Sequence, residues 1–472
     1  MDGSWAGVRV CVAGLGVSGR AAARVLAERG AQVVGVDART SIEQGAALAA
    51  RGVELRLGDG DTLPDDTEVV VTSPGWRPTA PLLAAAAERG IEILGEVELA
   101  WRLRGDDPAP WLALTGTNGK TTAVRMLDCM LQAAGHRSVA VGNVGIPIVE
   151  AVLDDPVSDS EGPRPPWKPD VLAVELSSYQ LHWSSSLAPY AATVLNLAPD
   201  HIDWHGSLEA YAQDKGKIFG AGTLAVVNAD DEWSVALGGR ADRSVGFTLG
   251  TPGPGQLGVV EHLLVDRAFV PDPAREAVEL AELQDVRPFA PHNVANALAA
   301  AGLARAFGVP PEAVRAGLAA FRPDPHRIAH VATVAKVDYI DDSKATNPHA
   351  AAASLATYDP VVWIAGGLLK GADVEDLVRS CAGRLRAAVL IGRDRAQIAA
   401  ALARHAPNVP VVDVIDTDTG AMDRVVNEAA RLAQPGDTVL LAPAAASMDM
   451  FANYGARGDA FAAAVQKLAQ AR

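Results

Sequence analysis

Cysteine is scarce in this 472-residue sequence, which contains only three, Cys11, Cys129 and Cys381. They are scattered along the chain, without the spacing of metal ligands or of a disulfide framework, and this favours a reducing compartment. Basic residues are also few, because 41 Lys and Arg against 57 Asp and Glu leave a net charge of −16. Such an acidic chain argues against a general nucleic-acid-binding or anionic-membrane surface.

Long apolar runs are missing too. No stretch of about 18 apolar residues occurs, and the N-terminus lacks a basic region followed by an apolar segment. We therefore expect a cytoplasmic protein that has no nucleic-acid or membrane partner. The oligomeric state cannot be read from the sequence, and a monomer is our working expectation. The chain is long enough for two to four domains.

The segment WLALTGTNGKTT, residues 111–122, carries the clearest chemical signal. An apolar strand runs into a Gly-rich turn, and a helical pattern follows. In such a loop the backbone N–H groups surround phosphate oxygens, Lys120 reaches the terminal phosphates, and a hydroxyl of Thr121 or Thr122 binds Mg²⁺. The first glycine stands two positions later than in the standard loop, at Gly116. We predict a variant phosphate loop for ATP or GTP.

A second glycine pattern, Gly14-x-Gly16-x-x-Gly19, lies between a predicted strand and helix, and Asp37 ends the next predicted strand. This is the outline of a dinucleotide-binding βαβ unit. The pattern recognises a diphosphate and little more, so Asp37 fits a ribose hydroxyl of NAD or the uracil or ribose of a UDP group equally well. The turn TSPG, residues 72–75, ends a further strand, where such sheets bind ligands.

Further candidates follow the phosphate loop. Glu175 ends the predicted strand 171–174 and is a candidate Mg²⁺ ligand. The apolar run 192–197 leads to His201, which would lie beside Glu175 if the two strands are neighbours. Lys215 lies on a predicted short helix and, read alone, is an ordinary surface lysine.

Proline-bearing junctions at 105–110 and 321–325 divide the chain into α/β segments. In the last segment, the apolar strands alternate with Ala-rich helical stretches, which predicts a parallel sheet. A Pro-, Asp- and Ser-rich stretch at 154–170 is predicted to be a surface insertion. The predicted domains are a Rossmann-like N-terminal domain at 1–105, a P-loop-type central ATPase domain at 106–322 and a Rossmann-like C-terminal α/β domain at 323–472.

Taken together, the motifs resemble those of the Mur ligase family, ATP-dependent amide-forming enzymes of peptidoglycan precursor synthesis. The resemblance spans nearly the whole chain. Its motifs are TGTNGKTT (115–122), GNVG (142–145), ELSSYQL (175–181), NLAPDHIDWHG (196–206), the lysine of YAQDKGK, PHNVANALAA (291–300), PHRIA (325–329) and DDSKATNP (341–348).

The resemblance implies the roles of particular residues. The implied catalytic residues are Lys120, Asn143, Glu175, His201, Lys215 and Lys344. The implied ATP contacts are Gly116, Thr117, Asn118, Gly119, Lys120, Thr121, Thr122, Asn293, Asn296, His326 and Arg327. The implied contacts to a UDP-linked substrate are Gly16, Val17, Ser18, Asp37, Arg39, Ser73, Gly75, Asn143, Ser177 and Gln180. The implied amino-acid contacts are Lys344, Thr346, Lys370, Ser447, Met448 and Tyr454. Two Mg²⁺ ions would be held by Thr121, Glu175, His201 and Lys215, the last carbamylated by CO₂.

Within the family, the N-terminal GLGVSG with Asp37 and the C-terminal segment 441–461 resemble the branch that adds D-glutamate to UDP-N-acetylmuramoyl-L-alanine through an acyl phosphate. The L-alanine-adding branch shares the Rossmann-like start and is the alternative, whereas folylpolyglutamate synthase relatives should lack a UDP-binding domain there. Outside the family, a nicotinamide-dependent oxidoreductase would use the first segment alone. A P-loop ATPase acting as a switch would hydrolyse ATP without an amino-acid acceptor.

Overall fold

The computed structural model describes residues 5–153, 168–415 and 420–471. Within these ranges the chain forms three β-sheets with helices against them, which confirms the α/β class. The predicted insertion falls, over 154–167, outside the described residues. Among the described residues, no helix is both long and apolar enough to cross a membrane.

The described chain falls into two compact units. The first unit holds the N-terminal and central sheets. The second holds the C-terminal sheet together with the short segments Ala198–Asp200 and Arg287–Val294. The domain boundaries proposed from the proline-bearing junctions remain predictions.

The N-terminal sheet is parallel throughout, in the order β3-β2-β1-β4-β5. Its elements are β1 (Arg9–Ala13), α1 (Val17–Glu28), β2 (Gln32–Asp37), α2 (Gly45–Ala50), β3 (Glu54–Leu57), β4 (Val69–Thr72), α3 (Pro81–Glu88), β5 (Glu92–Gly95) and α4 (Glu96–Leu103). The predicted β-α-β unit is confirmed. Helix α1 packs so closely on the turn after β1 that a Cβ on Gly19 would overlap the carbonyl oxygen of Gly14. Only glycine fits there.

The central sheet has the order β14-β13-β12-β11-β10-β9-β6-β8-β7. Its elements are β6 (Trp111–Thr115), α5 (Lys120–Ala133), β7 (Ser138–Gly142), α6 (Ile148–Ala151), β8 (Val171–Glu175), α7 (Ser178–His182), β9 (Ala191–Val194), α8 (Ile202–His205), α9 (Leu208–Gly216), β10 (Leu224–Asn228), α10 (Glu232–Gly238), β11 (Arg243–Phe247), β12 (Gln256–Val260), β13 (Leu263–Asp266), β14 (Val278–Glu282), α11 (Pro291–Ala306) and α12 (Pro311–Ala320). Strands β6 to β12 all pair in parallel fashion, and β13 and β14 extend the sheet in antiparallel fashion.

The C-terminal sheet has the order β15-β16-β20-β17-β18-β19. Its elements are β15 (Ala329–Val334), β16 (Val337–Asp341), α13 (Pro348–Leu355), β17 (Val361–Gly366), α14 (Glu375–Cys381), β18 (Leu385–Ile391), α15 (Arg395–His405), β19 (Val411–Asp413), α16 (Ala421–Leu432), β20 (Thr438–Leu441) and α17 (Tyr454–Ala471). The expectation of a parallel sheet is wrong for β15, which pairs with β16 in antiparallel fashion. The short turn between these two strands leaves no room for a crossover helix.

Candidate functional site

The phosphate loop follows β6, which lies inside the central sheet between β8 and β9. Lys120 begins α5, and its Nζ donates hydrogen bonds to the carbonyl oxygens of Gly116, at 2.8 Å, and Thr117, at 2.9 Å. The amine is thus held inside the loop, where the terminal phosphates of a nucleotide would bind. Thr121 and Thr122 follow in the first turn of the helix, whose positive N-terminal end favours an anion.

Gly119 is the position at which this loop requires glycine. It caps α5 with a φ of 83°, in the left-handed region. A Cβ there would lie 3.0 Å from Cγ of Asn296 and would overlap Oδ1 of the same side chain. Asn296, one of the two amides predicted to face adenine, is therefore packed directly against the phosphate loop.

Asn196 clamps the loop from the segment after β9, a role that its motif did not reveal. Its Oδ1 accepts from the backbone N of Asn118 at 2.9 Å, and its Nδ2 donates to the carbonyl oxygen of Asn118 at 3.1 Å. The backbone N of Thr117 donates to the Asn196 carbonyl oxygen at 3.0 Å. The Thr117 hydroxyl also lies 3.1 Å from the Tyr211 hydroxyl. The loop conformation is thus fixed by groups about 80 to 95 residues away along the chain.

Glu175 ends β8 with a fully buried side chain. Its Oε1 accepts from Nδ2 of Asn143 at 2.8 Å, so the structure brings these two predicted catalytic residues together. Its Oε2 is buried and has no hydrogen-bond partner among the described residues. Burying a carboxylate oxygen without a partner is costly, and such an oxygen is a suitable ligand for a divalent cation. The residues present therefore fit Mg²⁺.

His201 does not reach its position by the expected route. Strands β8 and β9 are not neighbours, because β6 lies between them. Hydrophobic pattern alone could not reveal this order, since each of these strands is buried on both faces. The histidine adopts a left-handed backbone with a φ of 54°, and its Nδ1 lies 2.8 Å from the Tyr179 hydroxyl. This contact orients the imidazole. No pattern in the sequence indicates this role for Tyr179.

Lys215 is buried at 1% exposure, contrary to the ordinary reading of a lysine on a short helix. Its Nζ donates to Gly116 O at 2.8 Å and to Thr115 Oγ1 at 3.2 Å. Lys120 and Lys215 therefore approach the same carbonyl oxygen from separate helices. Two ammonium groups at one oxygen repel each other at short range in a region with little water.

Asp214, next to Lys215, is a buried carboxylate that joins three segments. Its Oδ2 lies 2.8 Å from Nδ1 of His182 and 2.9 Å from Nδ1 of His205, and its Oδ1 lies 2.9 Å from Nζ of Lys217. Burial opposes its ionisation, but the hydrogen bonds from these three groups lower the pKa of Asp214 below its usual range. The ends of α7, α8 and α9 thus meet at one negative charge.

The predicted UDP-substrate residues of the N-terminal sheet surround the glycine turn. Asp37 accepts from the backbone N of Leu15 at 2.7 Å and from the Arg39 side chain at 2.7 and 2.9 Å. The hydrogen bond from Arg39 lowers the pKa of Asp37 to about 2. The Ser73 hydroxyl donates to Gly14 O at 2.7 Å. In this structure the Asp37 and Ser73 side chains hold the glycine turn after β1 through these hydrogen bonds.

The remaining predicted UDP-substrate residues are spread over two sheets. Gly16 precedes α1, and Val17 and Ser18 begin it. Gly75 accepts through its carbonyl oxygen from the Trp204 indole at 3.3 Å. Ser177 and Gln180 hydrogen-bond to each other as the capping box of α7. Their role toward a substrate stays a prediction.

The other predicted ATP contacts lie in the second compact unit. Asn293 is buried, and its Nδ2 donates to Pro288 O at 2.9 Å. His326 has a φ of 64°, and its Nδ1 lies 2.6 Å from Oδ2 of Asp341. Arg327 follows it, 3.8 Å from the Asp324 carboxylate.

The predicted amino-acid residues cluster at the carboxyl ends of strands in the C-terminal sheet. Lys344 and Thr346 follow β16, Lys370 follows β17, and Ser447 and Met448 follow β20. Tyr454 begins α17, and its ring lies 4.0 Å from Nζ of Lys344. Lys370, Met448 and Tyr454 are exposed, and Ser447 is buried. One sheet edge therefore presents cations, hydroxyls and an aromatic ring, a set that suits a dicarboxylate.

Comparison with known proteins found three family models that match successive parts of this chain. Residues 8–95 match the Mur ligase MurD-like N-terminal domain, residues 114–304 the Mur ligase middle domain, and residues 326–445 the glutamate ligase domain of Mur ligases. A Streptomyces avermitilis protein named UDP-N-acetylmuramoylalanine–D-glutamate ligase is 63% identical, over 98% of this chain and 99% of its own length. This chain belongs to the Mur ligase family.

Other Mur ligases extend the likeness. Proteins of the same name from Streptomyces coelicolor and Thermobifida fusca are each 61% identical, over 99% and 98% of this chain and 100% and 99% of their own lengths. Solved structures share the fold at lower identity. A pseudomurein peptide ligase type C from Methanothermus fervidus has a TM-score of 0.58 at 17% identity, over 98% of this chain and 100% of its own. A UDP-N-acetylmuramate–alanine ligase from Thermotoga maritima has a TM-score of 0.55 at 19% identity, with the same coverage.

Proposed function

We infer that this chain is an ATP-dependent ligase that joins D-glutamate to UDP-N-acetylmuramoyl-L-alanine in peptidoglycan precursor synthesis. The observation that carries this conclusion is the identity of 61–63%, over essentially the full length, with relatives that bear that name. The phosphate loop, the buried carboxylate at the end of β8 and the cationic sheet edge of the second unit supply the chemistry that such a reaction needs.

The reaction must overcome the low reactivity of a carboxylate, which is anionic and has no leaving group. Transfer of the γ-phosphoryl group of ATP to the substrate carboxylate gives an acyl phosphate, and the glutamate amine then displaces phosphate. Phosphoryl transfer depends mainly on positioning and charge neutralisation. Lys120, held inside the loop by two carbonyl oxygens, is the residue we assign to the terminal phosphates.

Two Mg²⁺ ions would add to this neutralisation. We assign Thr121, Glu175, His201 and Lys215 as the residues that hold them, the last as a carbamate. The buried Oε2 of Glu175, without a partner among the described residues, supports this assignment. Asn143 would then orient the Glu175 carboxylate through the hydrogen bond to Oε1.

The position of Lys215 supports its carbamylation. Reaction of its neutral amine with CO₂ forms an N–C bond, releases one proton and leaves a carbamate anion. The change would replace the repulsion between Lys120 and Lys215 around Gly116 O with an attraction. It would also supply the oxygen ligands that Mg²⁺ prefers.

The substrate sites are proposed on the same basis. We assign the glycine turn of the N-terminal sheet, with Asp37 and Arg39, to the UDP group. The sheet edge of the second unit is assigned to the glutamate, whose two carboxylates fit the cations Lys344 and Lys370. ATP and UDP-linked sugars are cytoplasmic metabolites, so we place the reaction in the cytoplasm. Action as a monomer stays a prediction.

Phosphate release tests the function directly. Purified protein receives ATP, Mg²⁺ and UDP-N-acetylmuramoyl-L-alanine, with D-glutamate, L-glutamate, L-alanine or no amino acid. We expect release only with D-glutamate and only when the UDP substrate is present. A parallel arm with UDP-N-acetylmuramate and L-alanine tests the L-alanine-adding alternative, and activity confined to that arm would overturn the proposal. Release that is indifferent to every acceptor would indicate a plain ATPase.

A further inference from the structure

Arg457, on α17, is a buried cation that the site described above does not use. Arg457 is only 1% exposed. Its Nε donates to Ser343 Oγ at 2.9 Å, its Nη2 to Ser343 O at 2.8 Å, and its Nη1 to Ala445 O at 3.1 Å and Gly366 O at 3.5 Å. Within the described part of the chain, these partners are one hydroxyl and three carbonyl oxygens, all of them neutral.

These partners belong to three different loops at the carboxyl ends of strands. Ser343 follows β16 and immediately precedes Lys344. Gly366 ends β17, at the start of the segment that leads to Lys370. Ala445 follows β20, two residues before Ser447. One guanidinium therefore connects the loops that carry the proposed glutamate contacts.

A fourth segment joins the same cluster through Ser343. The Ser343 hydroxyl, which accepts from Arg457, donates to the Tyr454 carbonyl oxygen at 2.7 Å. The loops also bond to each other, since the backbone groups of Leu368 and Ala446 exchange hydrogen bonds at 2.8 and 2.9 Å. These loops thus form one hydrogen-bonded assembly, and Arg457 lies at its centre.

The chemistry of this cluster favours positioning over stability. Removing a cation from water is expensive, and an apolar side chain of similar size would often stabilise a core as well or better. What the guanidinium supplies is a rigid planar fork of donors, which fixes the directions of several acceptors at once. Burial lowers the pKa of Arg457 to about 10, which leaves the group protonated at neutral pH.

We propose that Arg457 is a positioning residue for the glutamate site, where it holds the loops after β16, β17 and β20 in the arrangement that presents their cations and hydroxyls to a dicarboxylate. The inference rests on the assignment of the glutamate contacts made above. It adds a residue that touches no reacting group and acts through the loops it bonds.

The test compares Arg457→Lys and Arg457→Met with the wild type, measuring kcat and the KM values for D-glutamate, ATP and the UDP substrate. Lysine keeps the charge but loses the fork. We therefore expect both variants to raise the KM for D-glutamate about ten- to hundredfold, because displacement of positioned groups by about 1 Å has costs of that order. The other two KM values should change less than about threefold. A purely structural role would instead lower the melting temperature and kcat and leave this KM unchanged.

Two controls keep the test decisive. Arg386, at the start of β18, donates to the Asp437 carboxylate at 2.7 and 3.0 Å, near the opposite ends of the strands. Arg386→Met should lower the melting temperature and leave the KM for D-glutamate unchanged. If the Arg457 variants fail to fold, Ser343→Ala, which removes one acceptor of the fork, should still raise that KM severalfold.

Direct-contact variants separate the two proposals. If Lys370→Ala and Thr346→Val leave the KM for D-glutamate unchanged, the site assignment itself is wrong. If they raise it and Arg457→Lys behaves as the wild type, only the positioning role is refuted. Equal increases of all three KM values in the Arg457 variants would also refute that role.

Discussion

Replacement of Gly119 by alanine should impair nucleotide use far more than it impairs folding. The φ of 83° at this position costs an alanine about 1–2 kcal/mol. The added Cβ would also lie 3.0 Å from Asn296 Cγ and overlap Oδ1, so the loop or the amide must move by roughly 1 Å. Because the same loop must surround the phosphates, we expect kcat/KM for ATP to fall about 100-fold.

Gly135, at the other end of α5, is the matched control. Its φ is 88°, and a Cβ there would meet no atom within 4 Å. Gly135→Ala therefore carries the same backbone cost without the overlap. Both variants should lower the melting temperature, Gly119→Ala by the larger amount because of the overlap, while only Gly119→Ala should lose activity in the D-glutamate-dependent phosphate-release assay. Equal kcat/KM for ATP in the two variants would refute the assignment of the phosphate loop.

Three further predictions concern other parts of the chain. Lys215→Ala should lose activity and regain part of it in millimolar short-chain carboxylic acids; absence of rescue by any small acid would count against the carbamate. Gly458→Ala would place a Cβ onto the His326 imidazole, so the KM for ATP should rise about tenfold or more, and an unchanged KM would remove that histidine from the ATP site. Burial raises the pKa of Glu96 to about 7, so its stabilising contribution is lost as the pH rises from about 4.5 to 7. The unfolding free energy of Glu96→Gln, taken relative to that of the wild type, should therefore rise by about 2–3 kcal/mol between pH 5 and pH 8. A difference in unfolding free energy that does not vary with pH would contradict this.

Sequence patterns predicted those elements of the fold that form within a short stretch of chain. A strand, a glycine-rich turn and a helix follow one another within about 25 residues at the phosphate loop, and they appear there as β6 and α5. The Gly19 contact is equally short in range. Sheet order is different in kind, because β6 lies between β8 and β9 and the run β12 to β14 turns antiparallel. Hydrophobic periodicity carries no information on which buried strands become neighbours.

The candidate site shows the same division. Lys120 and Glu175 can be predicted as candidates because each lies in a motif, Lys120 at the start of a helix and Glu175 at the end of a strand. The contacts of Asn196 and Tyr179 could not be predicted, because they join segments that are distant in the sequence. The sequence around Lys215 predicts an exposed lysine, whereas in the structure the residue is only 1% exposed.

In each compact unit, a buried charged residue joins segments that carry residues of the proposed sites. In the first unit, Asp214 receives hydrogen bonds from His182 and His205, which follow Glu175 and His201 along the chain, and it adjoins Lys215. In the second unit, Arg457 donates to the loops after three strands. The sign of each charge follows from its partners, because an anion suits imidazole and ammonium donors and a cation suits carbonyl oxygens. Asp214 lies on α9 and Arg457 lies on α17. Both helices come later in the chain than the segments that these residues contact. A single Asp or Arg on a helix is typical of an exposed surface, so the residue type alone does not predict that Asp214 and Arg457 are buried and hold several segments together.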